Sequence, residues 1–488
     1  MNGSLRRRGF VSLALVSLAL AACSSNERHD GTRSSSAALA HSASLDPRLA
    51  NALAGALPST KFDVVVGYDA PATGLSTLTG ALEGLGLGVL QFPHLHAVAL
   101  RATAAQIAGV RALPGVRSVY LNRPLKYLLN QSVPGTRADQ VVATGVTGAG
   151  VGVAVLDSGV DALRPDLAYP SHTVQNVKIV ADVNDILAGI APPTPVGALA
   201  LENLPDTDTT TGHGTHCAGI IGGLGTQSGG KYKGVAPGAN LIGLGVGDGI
   251  NILWTLAGFD WILAHKDQYD IRIVSNSWGS EGTYDENDPI NQATKKVHDA
   301  GIAVVFAGGN SGPGANTINP YSVAPWVLGV AAGCKLDPNN DTPTCLRAGD
   351  KLVADFSSRG TPDSDLLHPD VTAPGVDIVS DRALTGTVLN VLDAQSDLSK
   401  CNIARGDLLG YTCASGTSMA TPHVAGILAL LVEATGGKIT PDQAYESIVN
   451  TARPLAGYAT FEAGAGYVDA KAAVDYAKSH FAQDAGAE

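Results

Sequence analysis

Three separate segments of the sequence place a reactive side chain next to glycines or at the start of an apolar helix. Asp157 ends the apolar run 151–156, His213 lies between two glycines, and Ser418 follows Gly416 at the start of an apolar stretch. Taken singly, these residues have ordinary structural interpretations: a capping or metal-binding acid, a structural histidine and a helix-capping serine. Taken together, they supply an acid, a base and a nucleophile.

The position of Ser418 at the start of a helix favours nucleophilic chemistry. The first N–H groups of a helix have no helical partner, and the helix dipole places partial positive charge there. A negative charge that develops beside the serine Oγ is therefore stabilised. Zinc binding is the competing interpretation of the histidine segment, because His213 and Cys217 are four residues apart. The sequence holds no second pair with matching spacing, which argues against zinc.

The segments that must position these side chains predict a parallel β-sheet with helices on both faces. Continuous apolar runs are typical of strands buried on two faces, and here they alternate with helix-like segments. In open α/β sheets, active sites lie at the carboxyl ends of the strands. The predicted strands are 151–156, 240–246, 271–275, 302–307 and 326–331, and the predicted helices include 251–265 and 291–300.

Residues 61–123 have a different pattern, which predicts a small α+β domain of the ferredoxin-like type. Runs rich in β-branched residues predict strands, and apolar residues at intervals of three and four predict helices. The predicted strands are 62–68, 88–92, 95–101 and 116–121, and the predicted helices are 74–85 and 103–113. This β-α-β-β-α-β order is that of a ferredoxin-like sandwich.

Composition and charge narrow the class of protein. The chain has 488 residues, of which 45% are hydrophobic, 58 are glycine and only 16% are charged, which is typical of a compact α/β protein with many loops. Residues 1–133 carry 12 basic and 6 acidic residues, whereas the remainder carries 20 and 38. The acidic body argues against nucleic acid as a partner, because phosphate binding needs a basic surface.

The N-terminus predicts export. Three arginines at 6–8 precede the apolar run 11–22, which is too short to span a bilayer and is typical of a secretory signal peptide. The end of this run, Leu-Ala-Ala-Cys at 20–23, resembles the lipobox of bacterial lipoproteins, which implies that Cys23 carries a lipid. An ordinary signal peptide with a chance cysteine is the alternative. Residues 23–60, rich in serine and alanine, are predicted to form a flexible tether.

The three reactive segments occur in the order Asp, His, Ser and resemble the signatures of the subtilisin-like serine peptidases, or subtilases. These segments are Asp157-Ser158-Gly159, His213-Gly214-Thr215-His216 and Gly-Thr-Ser-Met-Ala-Thr-Pro-His at 416–423. Further matching motifs lie at 275–279, 307–311, 356–360 and 369–375, within a resemblance that covers roughly residues 135–475. Agreement at this many segments is highly specific.

The resemblance implies a role for each residue that matches. Ser418 would attack the scissile carbonyl, and His213 would accept its proton and return it to the leaving amine. Asp157 would orient His213 and stabilise its charged form. Asn310 would share the oxyanion with the backbone N–H of Ser418. The expected function is therefore that of a serine endopeptidase that needs no cofactor for catalysis.

The resemblance also implies where substrate binds. Ser277, Trp278 and Gly279 would form one wall of the primary specificity pocket, and Gly308 and Gly309 the other. The stretch 245–249, which includes Gly247 and Gly249, would form an edge strand that pairs with extended substrate. Because the pocket residues include no acidic cluster, we expect a preference for apolar side chains.

The remaining cysteines and the acidic loops are candidates for structural roles, as disulfides, a buried thiol or calcium ligands. In an exported protein, the close pairs Cys334/Cys345 and Cys401/Cys413 predict two local disulfides, although spacing does not fix connectivity. By the resemblance, Cys217 would be a buried free thiol near His213. Structural calcium ions are common in the family, but the acidic loop 285–288 does not match a calcium loop, and solvated acids explain it at least as well.

The expected domain organisation follows from the same resemblance. Residues 1–22 would be the signal peptide, 23–60 the tether, 61–123 an inhibitory prodomain, 124–134 a linker with the autocleavage site, 135–480 the catalytic domain and 481–488 a tail. Removal of the prodomain would separate a lipid anchor at Cys23 from the mature enzyme. We expect an exported monomer, extracellular or attached to the bacterial cell envelope by its lipid, that acts on proteins or peptides. A non-enzymatic binding module and a dedicated processing peptidase are the alternatives.

Overall fold

The chain forms two compact units, 1–124 and 125–488, and each is described here by itself. The structure is a computed structural model. It describes residues 43–45, 47–69, 75–92, 97–121, 132–180, 199–247, 252–344, 351–385, 389, 401 and 403–482. The predicted signal peptide, the lipobox at Cys23 and most of the predicted cleavage linker lie outside the described residues.

The first unit is a mostly antiparallel sheet with helices, and its residues 61–121 follow the predicted β-α-β-β-α-β order. Its elements are β1 (Ser44–Leu45), α1 (Pro47–Ala54), β2 (Lys61–Tyr68), α2 (Leu75–Gly84), β3 (Val89–Phe92), β4 (Ala97–Thr103), α3 (Ala104–Arg111) and β5 (Val116–Leu121). The strand order is β1-β5-β2-β4-β3, and β2 pairs antiparallel with both β4 and β5. Its core includes Leu49, Val64, Leu82 and Ile107.

The prediction that residues 23–60 form a flexible tether is wrong for their second half, where β1 and α1 form. Strand β1 pairs in parallel with β5, and the guanidinium of Arg111 donates to the carbonyl of Ala43 at 2.8 and 3.2 Å. Helix α1 buries Leu49 completely within the core of the first unit. Leu49 and Leu53 are four residues apart and so lie on one helical face, which composition alone does not reveal.

The second unit is built on an eight-stranded sheet, in the order β13-β12-β11-β10-β6-β9-β7-β8. All neighbours are parallel except β7 and β8, which are antiparallel. The strands are β6 (Gly152–Asp157), β7 (Thr173–Val180), β8 (Leu199–Leu201), β9 (Asn240–Gly245), β10 (Ile271–Asn276), β11 (Ala303–Ala307), β12 (Val327–Gly333) and β13 (Val371–Pro374). A separate two-stranded antiparallel sheet pairs β14 (Ile378–Asp381) with β15 (Tyr411–Ala414).

Helices cover both faces of this sheet. They are α4 (Ser132–Gly135), α5 (Ala138–Val142), α6 (His213–Gly222), α7 (Ile252–His265), α8 (Pro289–Asp299), α9 (Thr417–Ala434), α10 (Pro441–Thr451), α11 (Thr460–Ala463) and α12 (Ala470–Phe481). Along β6, Val153 and Val155 join the core beneath α6 and α9, whereas Ala154 and Leu156 join the core beneath α7 and α8. Side chains alternate between faces along a strand, so both faces must be apolar. The predicted α/β sheet is confirmed.

The predicted edge strand 245–249 overlaps strand β9 only at Gly245. Strand β9, which ends at Gly245, pairs with β6 on one side and β7 on the other. Strand β7 completes this pairing, and the sequence did not predict it because Gln175, Asn176 and Lys178 interrupt its apolar pattern. Beyond β9, the structure describes residues 246 and 247 of this stretch, and Gly249 lies outside the described residues.

Helix α9 carries Ser418 and runs through the core. It is the one described helix long and apolar enough to cross a membrane, with a mean hydropathy of 1.2, and 83% of it is buried inside the protein. Near its carboxyl end, Glu433 Oε2 accepts hydrogen bonds from the backbone N–H groups of Thr147, Gly148 and Ala149 at 2.6, 2.5 and 3.0 Å. Glu433 therefore fixes α9 to the segment that leads into β6.

Substitution Glu433→Ala should lower the free energy of unfolding by about 2 kcal/mol, because three N–H groups lose a charged acceptor. The measurement is thermal unfolding of the full chain in a Ser418→Ala background, which prevents self-digestion. Asp267→Ala, which removes an exposed carboxylate of the same unit, is the matched control and should change the midpoint little. Equal midpoints for the two variants would contradict this role of Glu433.

Candidate active site

Asp157, His213 and Ser418 lie at the ends of three different elements that meet at one edge of the sheet. Asp157 is the last residue of β6, His213 the first of α6 and Ser418 the second of α9. The Nδ1 atom of His213 is 2.7 Å from Oδ1 of Asp157, and the Asp157 side chain is only 1% exposed. The 30% exposure of the His213 side chain leaves its ring open to the site.

A close backbone contact allows this hydrogen bond. A Cβ on Gly214 would lie 2.1 Å from the carbonyl oxygen of Gly159 and 3.0 Å from Cβ of Asp157. Only glycine therefore lets the first turn of α6 approach the turn that follows β6. The N–H of Gly214 uses the same contact, donating to Oγ of Ser158 at 2.9 Å.

Asp208, which the sequence did not single out, fixes the start of α6. Its Oδ1 accepts from the N–H of Gly212 at 2.9 Å and from Oγ of Ser158 at 3.1 Å. Its Oδ2 accepts from the N–H and the hydroxyl of Thr215 at 3.0 and 2.6 Å. Asp208 is fully buried, so it ties the residue after Asp157 and the turn that carries His213 into one rigid network.

The hydroxyl of Ser418 is directed toward the main chain. Its Oγ donates to the carbonyl of Ser277 at 2.8 Å, and the hydroxyl of Ser277 donates to the carbonyl of Ser418 at 2.9 Å. Among the described residues, no hydrogen bond joins Ser418 to His213. Transfer of the serine proton to Nε2 of His213 therefore requires rotation of the Ser418 side chain about its Cα–Cβ bond.

Two N–H donors lie beside Ser418. Oδ1 of Asn310 accepts from the N–H and the hydroxyl of Thr417, both at 2.9 Å, so its Nδ2 group faces the other way. A Cβ placed on Gly416 would be 3.4 Å from this Nδ2 and 3.5 Å from the backbone nitrogen of Ser418. The two donors therefore flank one space, as stabilisation of an oxyanion requires. Thr417 is a positioning residue that the sequence did not identify.

Charge favours His213 as a base. Burial is the largest influence on the ring and opposes its protonation, but the negative charge of Asp157, its hydrogen bond and the interactions with Cys217 together raise the pKa of His213 well above its ordinary value. Burial also raises the pKa of Cys217, so its thiol stays neutral. Cys217 is free and buried, with Sγ 3.9 Å from Nδ1 of His213 and 3.4 Å from the carbonyl oxygen of Ser418.

A cleft of about 310 Å³ opens beside Ser418. Of the predicted binding residues, those that line it are Trp278, Gly279 and Gly309, together with Asn310 and Ser418. Its base includes Asn319, whose Nδ2 donates to the carbonyls of Trp278 at 3.1 Å and Ala307 at 2.8 Å. Asn319, which sequence reasoning missed, therefore holds the two walls together.

The other predicted binding residues have different surroundings. Ser277 is buried beneath Ser418, as described above. Gly308 is held inside the sheet, because its N–H donates to Val330 and its carbonyl accepts from Asn319. Gly247 packs against the ring of Trp254, where a Cβ would lie 2.1 Å from Cζ3. None of the three is among the described residues that line the cleft.

The cysteines and acids leave no described cluster that suits a metal ion. Cys401 and Cys413 form a disulfide, and Cys334 is disulfide-bonded while its predicted partner Cys345 lies outside the described residues. Ligand atoms of Asp157, His213 and Cys217 lie within 4.8 Å of one another, but the hydrogen bond at His213 uses its Nδ1. In the acidic loop 285–288, Oδ1 of Asp285 accepts from the backbone N–H of Asn287 and Asp288 caps α8, so both carboxylates already accept backbone hydrogen bonds.

Comparisons with known proteins agree with this geometry. Residues 148–468 match the model of the subtilase family. The chain is 35% identical over 347 residues to serine protease AprX of Bacillus subtilis, covering 69% of each chain, and 28% identical over 349 residues to subtilisin E of the same species, covering 70% of this chain and 72% of the relative. Among solved structures, sphericase is 25% identical with a TM-score of 0.50, covering 66% of this chain and 92% of its own.

Substitution Asn310→Ala should lower kcat by about 10²–10³-fold and leave KM nearly unchanged, because the lost donor acts on charge that develops only in the transition state. That magnitude comes from a subtilisin. The measurement is steady-state hydrolysis of a peptide substrate, with thermal unfolding as the control for the fold. An increase in KM with unchanged kcat would assign Asn310 to ground-state binding instead.

The pH profile should report the raised pKa of His213. The base must be neutral to accept a proton, so kcat/KM should rise with pH through a midpoint above about 6.5. Asp157→Asn removes the charge that favours protonation, so the midpoint of its residual activity should move to lower pH while kcat falls about 10⁴-fold. A wild-type midpoint below the ordinary histidine value, or an unmoved midpoint in the variant, would contradict this electrostatic role.

Proposed function

The chain belongs to the subtilase family and is a serine-type endopeptidase, and we propose that Asp157, His213 and Ser418 cleave peptide bonds through an acyl-enzyme at Ser418. The observation that carries this proposal is the 2.7 Å hydrogen bond between Nδ1 of His213 and Oδ1 of Asp157. The Sγ atom of Cys217 is 3.9 Å from Nδ1 of His213 and 3.4 Å from the carbonyl oxygen of Ser418. Both residues therefore pack against the same thiol.

Acylation begins when Ser418 exchanges its hydrogen bond to Ser277 for one to Nε2 of His213. Oγ then attacks the scissile carbonyl carbon while His213 takes the hydroxyl proton, and Asp157 stabilises the imidazolium. The carbonyl oxygen becomes an oxyanion that accepts from Nδ2 of Asn310 and the N–H of Ser418. The C–N bond breaks as His213 gives its proton to the leaving amine.

Deacylation repeats these steps with water as the nucleophile. His213 removes a proton from the water, the hydroxide adds to the ester carbon, and the same two donors hold the second oxyanion. The C–Oγ bond then breaks, and His213 returns the proton to Ser418. Subtilases need no cofactor for this chemistry, and no step involves a metal.

The first unit fits the role of an intramolecular inhibitor that is removed by self-cleavage. The β-α-β-β-α-β order of its residues 61–121 is the one that the family resemblance implies for a prodomain. The cleavage bond must precede the residues that pack into the second unit. Gly135 and Thr136 are buried there, and the N–H of Ala470 donates to the carbonyl of Thr136 at 2.8 Å. Within the predicted linker 124–134, residues before α4 are therefore the best candidates for cleavage.

We further propose that the protein is exported and carries a lipid anchor at Cys23. The basic, apolar and cysteine segments at 6–23 support it, and they lie outside the described residues. Self-cleavage ahead of α4 would release the mature enzyme from a lipid on Cys23, unless the first unit stays bound. A non-enzymatic binding module is disfavoured, because the nucleophile, the base, the orienting acid and both oxyanion donors are all present.

Substitution Ser418→Ala should abolish labelling by a fluorophosphonate probe and peptide hydrolysis, and it should leave the chain uncleaved between its two units. Intact-mass and N-terminal analysis of wild-type and variant chains measures the processing, and it also locates any lipid on Cys23. Thermal unfolding checks that the variant is folded. A folded variant with wild-type hydrolysis would contradict Ser418 as nucleophile, whereas normal processing alone would contradict self-cleavage.

A further inference from the structure

We propose that Glu281 makes the cleft beside Ser418 selective for a basic side chain, lysine or arginine, at the residue whose carbonyl is attacked. This inference rests on the proposed function, since it assigns the substrate class of the same site. It replaces the apolar preference expected from the sequence, which found no acidic cluster in the pocket.

The side chains that line the cleft are mostly polar. Besides the residues that flank Ser418, the lining residues include Ser280, Ser311, Thr317 and Ser358, which carry hydroxyls, and Glu281, which carries a carboxylate. Among the described lining residues, Glu281 carries the only charge. A long aliphatic substrate side chain would therefore end among hydroxyl groups and a carboxylate, where a basic group gains interactions that an apolar group does not.

The charge of Glu281 is not neutralised by the protein. No ion pair or side-chain hydrogen bond to its carboxylate is found in the part of the chain that the structure describes, and Glu281 is exposed. Residues from 134 onward carry 20 basic and 38 acidic residues, so the surrounding field also attracts a cationic substrate. An unpaired carboxylate at the rim of a substrate cleft is thus available to an incoming cation.

The walls of the cleft suit a long, flexible side chain. Gly279 and Gly309 contribute backbone without side chains, and a Cβ on Gly279 would lie 2.3 Å from Nδ2 of Asn319. Asn319 uses its amide group to bond the walls, so it adds no charge at the base. The methylene stem of lysine or arginine can lie along these walls while its charged end reaches the rim at Glu281.

The test compares Glu281→Gln with Glu286→Gln, a control that removes the same charge from an exposed acid outside the cleft lining. Substrates form one peptide series that differs only at the residue before the scissile bond: arginine, lysine, glutamine, leucine or phenylalanine. The wild-type enzyme should prefer arginine and lysine. Glu281→Gln should lower kcat/KM for these two by at least about threefold, the scale of one exposed ion pair, and leave the neutral substrates unchanged.

The control variant should retain the wild-type preference, and added salt should weaken the preference only when Glu281 is present. Unchanged selectivity in Glu281→Gln, or equal losses for basic and neutral substrates, would overturn the inference. A basic preference at another substrate position would overturn it as well. Fluorophosphonate labelling of each variant distinguishes failure of the proposed function from failure of this inference. A folded chain that is not labelled contradicts the proposed function. A labelled chain without this selectivity contradicts the role of Glu281 alone.

Discussion

The close approach of two backbone segments, the turn after β6 and the first turn of α6, is the constraint on which the site depends. Gly214 leaves room for the carbonyl of Gly159, and this contact brings His213 to Asp157. Asp208 then locks the arrangement by accepting from both segments at once. A pair held by backbone contact and a buried carboxylate needs little reorganisation when charge develops, which is the physical basis of electrostatic catalysis.

Helix α9 places the polar residue Ser418 at the end of an apolar core. Ser418 lies at its amino end, next to the Thr417 that holds Asn310, while most of the helix packs against the sheet. At the other end, Glu433 binds the segment that leads into β6. The strand that ends in Asp157 and the helix that begins at Thr417 are therefore joined far from the site, which limits how far the nucleophile and the acid can move apart.

The sequence predicted the family and the parallel sheet, and it singled out the candidate catalytic residues, because local motifs and apolar runs carry this information. It did not predict Asp208, Asn319 or Thr417, whose roles arise from partners distant in the chain and have no local pattern. The polar residues of β7 interrupt the apolar pattern by which a buried strand is predicted. Asn176 can be buried there because its amide donates to the carbonyl of Val160 and accepts from the hydroxyl of Thr207. The direction of the Ser418 hydroxyl depends on Ser277, and sequence gives no rotamers.

The burial of α9 also has a consequence for the life of the chain before it is folded. The helix rests on strands β6, β10, β11, β12 and β13 and on helices α6, α10 and α12, which span most of the second unit's length. Contacts so distant in sequence form late, after much of the chain has condensed. Asp157, His213, Asn310 and Ser418 are therefore brought together only in the folded unit, and an unfolded copy carries the same side chains without the arrangement that peptide hydrolysis would need.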